Sequence, residues 1–304
     1  MRILFSFVLT FSLIATACVD DAYAPDPDGA HTGDGAGKDA GSDSFPDALV
    51  TDQFVPPDGF IIGKEVVYAH TPDKLFKIDP QTLSVKEVGD FKEDNSLNTP
   101  IITDLAIDKK GQMIAVSKST VYSVDLKTAI CTELSSAKAS YVGLSYVVNN
   151  KSIDKTEYLM GLGKDGKVYD IDPKTGTATQ VGSLGDDPVD TDTALKAAGD
   201  VVSIRGFKTL ATIERPKTVG EDTDWLAELD PMTGKATIIG KVGFKGVWGL
   251  GFWKHGGENK VFGFTNTGDF ILINVQTGKG TLQDSDATKK WWGAGVTTDA
   301  PTID

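Results

Sequence analysis

Beyond about residue 60 the chain is built of short runs in which apolar and polar positions alternate with period two. That period predicts strands with one face turned toward a neighbour. Five runs end in one recurring turn: Leu75-Phe-Lys-Ile-Asp-Pro-Gln-Thr82, Val121-Tyr-Ser-Val-Asp-Leu-Lys-Thr128, Val168-Tyr-Asp-Ile-Asp-Pro-Lys-Thr-Gly176, Leu226-Ala-Glu-Leu-Asp-Pro-Met-Thr-Gly234 and Ile271-Leu-Ile-Asn-Val-Gln-Thr-Gly278. An Asp or Asn bonds nearby backbone N–H groups, Pro fixes φ, and Gly accepts positive φ, so each copy predicts a hairpin between two strands. Five copies at equivalent turns make these aspartates folding residues rather than metal ligands. A more apolar run precedes each later copy: Thr103–Asp108, Tyr141–Val147, Val201–Phe207 and Val247–Trp253, with Trp291–Thr297 following the last copy. Small residues alternate with large ones there, which suits strands whose backbones approach closely.

The turn markers Asp79, Asp125, Asp172, Asp230 and Asn274 are 46, 47, 58 and 44 residues apart. Periods of roughly 40–50 residues are those of four-stranded propeller blades. The long step holds an insertion between Arg215 and Trp225, expected on a rim loop. The first unit lacks an inner strand and the last inner run lacks outer strands. Together they complete one blade if the C-terminal run pairs with the strand near Val67, which also removes open sheet edges. The expectation is an all-β, five-bladed β-propeller closed in this way, with six blades as the alternative should 185–225 hold further strands.

The Leu/Val-Tyr-x-Ile-Asp-Pro-x-Thr-Gly units, clearest over residues 163–185, resemble bacterial extracytoplasmic β-propeller repeats of the YVTN/NHL-like kind. The resemblance spans about residues 61–298. It implies the fold and leaves function open, because such propellers include enzymes, scaffolds and binders.

The N-terminal region is of another composition. Met1-Arg2 followed by an apolar run to Ala17 reads as an export signal. Ala15-Thr-Ala-Cys18 resembles a bacterial lipobox, with Ala15 where that motif usually has Leu, so Cys18 is the expected lipidation site and plain secretion or a periplasmic location the alternative. Residues 19–58 hold ten aspartates and one lysine among Gly, Ala and Pro, a composition that cannot bury a core. The division is thus a signal over 1–18, an acidic tether over 19–58 and a propeller over 59–304. Of the net charge of −13, the tether carries −9 and the propeller −5, the signal contributing +1. No basic tract points to nucleic acid.

Chemistry is sparse. The chain has no Gly-x-Ser-x-Gly elbow, no His-Glu-x-x-His and no phosphate loop. Cys131 sits in an apolar strand and reads as a buried thiol. His255 reads as a surface-loop residue. The candidate ligand residues, at the ends of inner strands, are Asp104, Arg205, Trp248 and Trp292. Arg205 needs an acidic partner, with Asp104 or Asp108 expected. Alternation sends Trp291 and Trp292 to opposite faces. The functional expectation is a surface-anchored, non-enzymatic propeller that binds a protein or glycan without a cofactor. The membrane is met through the lipid alone, on the outer membrane or cell surface. A metal-dependent lactonase- or lyase-like enzyme with one divalent cation at the axis, or a structural envelope module, are the competing classes.

Overall fold

In a computed structural model of the chain, the residues described are 66–149, 156–216 and 222–303. The export signal, the tether and Cys18 lie outside them, as do residues 59–65. The strands are β1 (Val67–His70), β2 (Lys74–Ile78), β3 (Val85–Asp90) and β4 (Lys92–Glu93). Next come β5 (Asp104–Ile107), β6 (Met113–Val116), β7 (Thr120–Val124) and β8 (Ile130–Ser136). β9 (Gly143–Val148), β10 (Glu157–Leu162), β11 (Lys167–Ile171) and β12 (Ala178–Ser183) follow. The next group is β13 (Lys196–Ser203), β14 (Thr209–Glu214), β15 (Trp225–Leu229) and β16 (Ala236–Lys241). The last are β17 (Val247–His255), β18 (Glu258–Thr265), β19 (Asp269–Asn274), β20 (Gly280–Ser285) and β21 (Gly293–Gly295).

They form five sheets, antiparallel except for the short β4, the blades of a five-bladed β-propeller. Blade one has the order β21-β1-β2-β3, so the C-terminal strand is its inner strand. Blades three, four and five are β9–β12, β13–β16 and β17–β20 in sequence order. Blade two is β5–β8, extended by β4, which pairs parallel to the outer edge of β8 and covers it. The 185–225 stretch adds no blade among the described residues. It holds one isolated bridge, Asp186 to Ala194, and then enters β13.

Burial follows position in the blade. β1, β5 and β6 are buried throughout because blades press on both faces, and apart from His70 and Asp104 they are apolar. The outer strands β12 and β20 are mostly exposed and polar. The core is four clusters that follow the seams between blades. The largest joins Val67 and Phe76 of blade one to Phe262, Phe264 and Trp291, so the closing seam is as apolar as the others.

The repeated turn folds as its residues dictate. Asp79, Asp125 and Asp230 each accept the N–H groups two and three residues on, at 2.8–3.1 Å, and Asn274 does the same. Its second role was not visible in the repeat. Every outer strand carries a register shift one step in from its end. The residue there meets the turn of the next blade. Ser135 Oγ donates to the Pro173 carbonyl at 3.0 Å, and Gly182 and Gly240 lie against the Thr233 and Thr277 carbonyls with no room for a Cβ. At the closing seam the equivalent residue is Asp284, and His255 Nδ1 instead donates to the Pro80 carbonyl at 2.9 Å. His255 is therefore a half-buried strand end in contact with blade one, not a free loop residue.

Gly182→Ala is expected to destabilise the protein by about 1–3 kcal/mol or more, the cost of forcing atoms into a packed seam. A denaturant-unfolding series checks this, and a midpoint equal to wild type would contradict the seam geometry.

Candidate functional site

The inner strands β5, β9, β13, β17 and β21 touch in a closed ring around the axis. They run in one direction, as the parallel bridge between Ile107 and Thr297 records. Pairing to the second strands places Asp104, Gly143, Gly249 and Gly293 at equivalent hub positions, opposite Val116, Leu162, Phe264 and His70. In blade four the pairing is interrupted between Ala197 and Val201, and Asp200 lies in this gap. Three hub positions are thus glycine and two are aspartate. The glycines leave room for the carboxylates: a Cβ on Gly293 would collide with both Asp104 Oδ1 and His70 Nε2.

Asp104 and Asp200 are fully buried and hydrogen-bonded to one another. Asp104 Oδ1 accepts the Leu105 N–H at 2.8 Å and Oδ2 the Leu144 N–H at 2.6 Å. Asp200 Oδ1 accepts Val201 at 2.6 Å, while Oδ2 accepts Leu250 at 2.8 Å and Ala294 at 3.4 Å. The pair therefore holds backbone from all five blades. Burial raises both carboxyls, Asp104 well above the carboxylate range with the Asp200 charge adding to it, and Asp200 to about 7. Their mutual hydrogen bond needs a proton, and the pair titrates as a unit.

His70 completes the hub. Its Nδ1 donates to the Thr71 carbonyl at 2.8 Å, which leaves Nε2 as a lone-pair acceptor. Nε2 is buried, has no hydrogen-bond partner and stands 3.8 Å from Asp104 Oδ1. Burial lowers the imidazole to about 4, the Thr71 carbonyl opposing the shift. Among the described residues, no group of three or more His, Cys, Asp or Glu is arranged to hold a metal ion.

Trp248 and Trp292 each precede a hub glycine, Gly249 and Gly293, on adjacent blades, so they stand at the N-terminal mouth of the ring. Both are half-buried, and their rings meet edge to face with centroids 6.1 Å apart at 76°. Trp291, one residue away, points into the core between Phe76 and Phe264, with centroids at 5.1 and 5.4 Å. The expected division of the two neighbours between faces holds. Charged groups flank the mouth. Lys245 Nζ lies 2.9 Å from Asp224 Oδ1, and Asp224 Oδ2 accepts the Val247 N–H at 2.8 Å. Lys164 bridges the Ala197 carbonyl and Glu214, each at 2.9 Å. Lys290, two residues before Trp292, is exposed.

At the C-terminal ends of the inner strands, residues 297–299 cross between blades. Thr297 Oγ1 donates to the Asp108 carbonyl at 3.0 Å and the Arg205 N–H to the Thr298 carbonyl at 2.7 Å. Arg205 lies here, away from the other three candidates. Its guanidinium pairs with Glu157 at 2.9 Å and Asp299 at 2.6 Å, not with the expected Asp104 or Asp108. Strand polarity excludes Asp104, which begins its strand while Arg205 follows the end of another; Asp108 reaches the same end as Arg205, but its Oδ1 accepts the Lys110 and Gln112 N–H groups of its own turn, each at 2.8 Å. Of the four candidate residues, expected together where inner-strand ends converge, Asp104, Trp248 and Trp292 lie toward one end of the ring and Arg205 at the other, and sequence reading did not single out Asp200 or His70. The inner run of blade four was expected to begin at Val201, five residues after β13 starts at Lys196, so Asp200 fell outside it; the alignment of hub glycines with Asp104 was the signal that could have found Asp200. Cys131 is buried in β8, and burial, with the Glu93 charge, pushes its thiol up to about 12. Two open grooves of about 580 and 480 Å³ lie on the flanks, one at Phe207, Glu228 and Pro231 and the other at Asp94, Asp125 and Thr132, away from hub and mouth.

No protein-family model and no curated protein matches this chain. Solved structures do. A protein of unknown function from Bacteroides caccae is 11% identical with a TM-score of 0.37, covering 72% of each chain. An auxiliary nutrient binding protein from Bacteroides thetaiotaomicron is 13% identical with a TM-score of 0.42, covering 72% of this chain and 54% of that one. An engineered glycoside hydrolase of family GH43 is 10% identical with a TM-score of 0.44, covering 77% and 53%. The chain spans about half the length of the last two.

The hub sets a pH dependence. Both carboxyls are raised in the folded state, so their contribution to stability is complete below about pH 4 and is lost as pH rises toward and past 7. His70 is lowered, so its contribution is complete above about 6.5 and is lost as pH falls toward 4. Above pH 6.5 the carboxyls act alone. The thermal midpoint is expected to fall from pH 6.5 to 9, and Asp200→Asn, which keeps an acceptor for Leu250, is expected to flatten that fall. Equal slopes in the two proteins would refute the assignment.

Proposed function

We propose that this chain is an extracytoplasmic, non-enzymatic propeller that binds a glycan at the mouth formed by Trp248 and Trp292. The observation that carries this reading is the pair itself: two half-exposed indoles from adjacent blades, set edge to face, offer a corner of flat apolar surface with charged groups beside it. The apolar faces of sugar rings stack on such surfaces. The hub supports a binding role over catalysis. Its carboxylate oxygens are committed to backbone N–H groups and to each other, and they are sealed from solvent. A lactonase- or lyase-like activity would need carboxylates free to hold a cation or move a substrate proton. A protein ligand at the same mouth is the second reading, favoured by the exposed Lys290 and Lys245 around the aromatic pair.

In this proposal Cys18 carries lipid, and the acidic 19–58 segment spaces the propeller from the outer membrane.

A glycan array followed by calorimetry tests the site. Trp248→Ala and Trp292→Ala are each expected to weaken binding at least tenfold, about 1.4 kcal/mol, while Met232→Ala on the distant rim leaves it unchanged. Undiminished affinity in both tryptophan variants would move the ligand elsewhere, and cation-dependent turnover of a sugar or lactone would replace the binding role with an enzymatic one. For the anchor, Cys18→Ala is expected to abolish incorporation of labelled fatty acid; label retained in that variant would contradict lipidation there.

A further inference from the structure

We infer that Asp200 is the positioning residue of the tryptophan pair, and that the proton it shares with Asp104 sets the spacing of Trp248 and Trp292. It rests on the preceding reading only for its bearing on ligand binding. One oxygen, Asp200 Oδ2, accepts N–H groups from Leu250 and Ala294. Leu250 lies two residues beyond Trp248 and Ala294 two beyond Trp292. Trp248 is the extra residue of a bulge between Val247 and Gly249, and Trp292 immediately precedes β21, so each indole sits two residues before the N–H that Asp200 holds. A single buried oxygen therefore ties together the two strands that carry the pair, from a third blade across the axis. The two bonds are unequal, 2.8 Å to Leu250 and 3.4 Å to Ala294, while the N–H of Trp292 itself is held by the His70 carbonyl at 2.8 Å.

The charge on that oxygen is variable. The pair at the hub has two states around neutrality: both carboxyls protonated, or one proton shared. Loss of the second proton makes the Asp200 oxygen a charged acceptor, and charge-assisted bonds are shorter and roughly twice as strong as neutral ones. The Ala294 bond has the most room to shorten, which draws Trp292 toward Trp248. The titratable side chains facing the carboxyls are each other and, from β1, His70; β9, β17 and β21 present backbone N–H groups. Burial places the Asp200 step near pH 7 and keeps His70 neutral there.

Near-ultraviolet circular dichroism of the full-length protein between pH 5 and 9 tests this without any ligand. The signal of the pair is the difference between wild type and Trp292→Phe, with Trp248→Phe as the second route to it. It is expected to change in one step with a midpoint between pH 6 and 8, and to be flat in Asp200→Asn. Asp104→Asn replaces a carboxylic O–H donor, whose hydrogen bond favours the charge on Asp200, with a weaker amide N–H, so its midpoint is expected to move toward alkali. A flat signal in wild type, or an unshifted step in either variant, overturns the inference. If Asp200→Asn does not fold, the Asp104→Asn midpoint decides alone. A glycan screen that fails while the signal titrates leaves the positioning role intact and removes only the function proposed for the mouth.

Discussion

Two buried carboxyls, Asp104 and Asp200, hold this ring at its centre. A propeller brings five inner strands together where none can complete a sheet with the others, so their N–H groups near the axis need acceptors from elsewhere. Here acceptors come from two side chains in blades two and four. Glycine at the other three hub positions makes the geometry feasible, since any Cβ there would occupy the carboxylate space or press on a neighbouring backbone. The desolvation of two acids is offset by five N–H donors and by the proton that they share.

That arrangement separates the molecule into two ends with different characters. At the C-terminal ends of the inner strands, Arg205, Glu157 and Asp299 form a network with the last residues of the chain. At the N-terminal ends, connections between blades leave indole faces and charged side chains toward solvent.

Most of the architecture could be read from residues alone. The Asp-Pro-x-Thr-Gly turns gave the blade count, and Trp291–Thr297 gave the closure, because a missing inner strand at one end of the chain matched a surplus one at the other. The split of Trp291 and Trp292 followed from period two. What the residues concealed depends on register. Asp200 follows Ala197-Ala198-Gly199, a stretch too small and too irregular in pairing to announce a strand. His70 looks like any histidine until Gly293 is placed opposite it by a strand more than two hundred positions away. Arg205 was recognised as needing a partner, yet the partner depends on which strand ends coincide. The docking of each turn on the next blade's bulge was hidden for the same reason: it is a contact between repeats, and the repeat shows only itself.

The position of β21 also has a consequence for how the molecule is made. A chain that leaves the ribosome N-terminus first can assemble blades two to five in order, whereas blade one waits with β1 unpaired on its inner side. Until residues 293–295 emerge, no closed ring exists and the hub carboxyls lack the Ala294 donor. Emergence of residues 293–295 is therefore the event that closes the ring and gives the hub its fifth backbone donor.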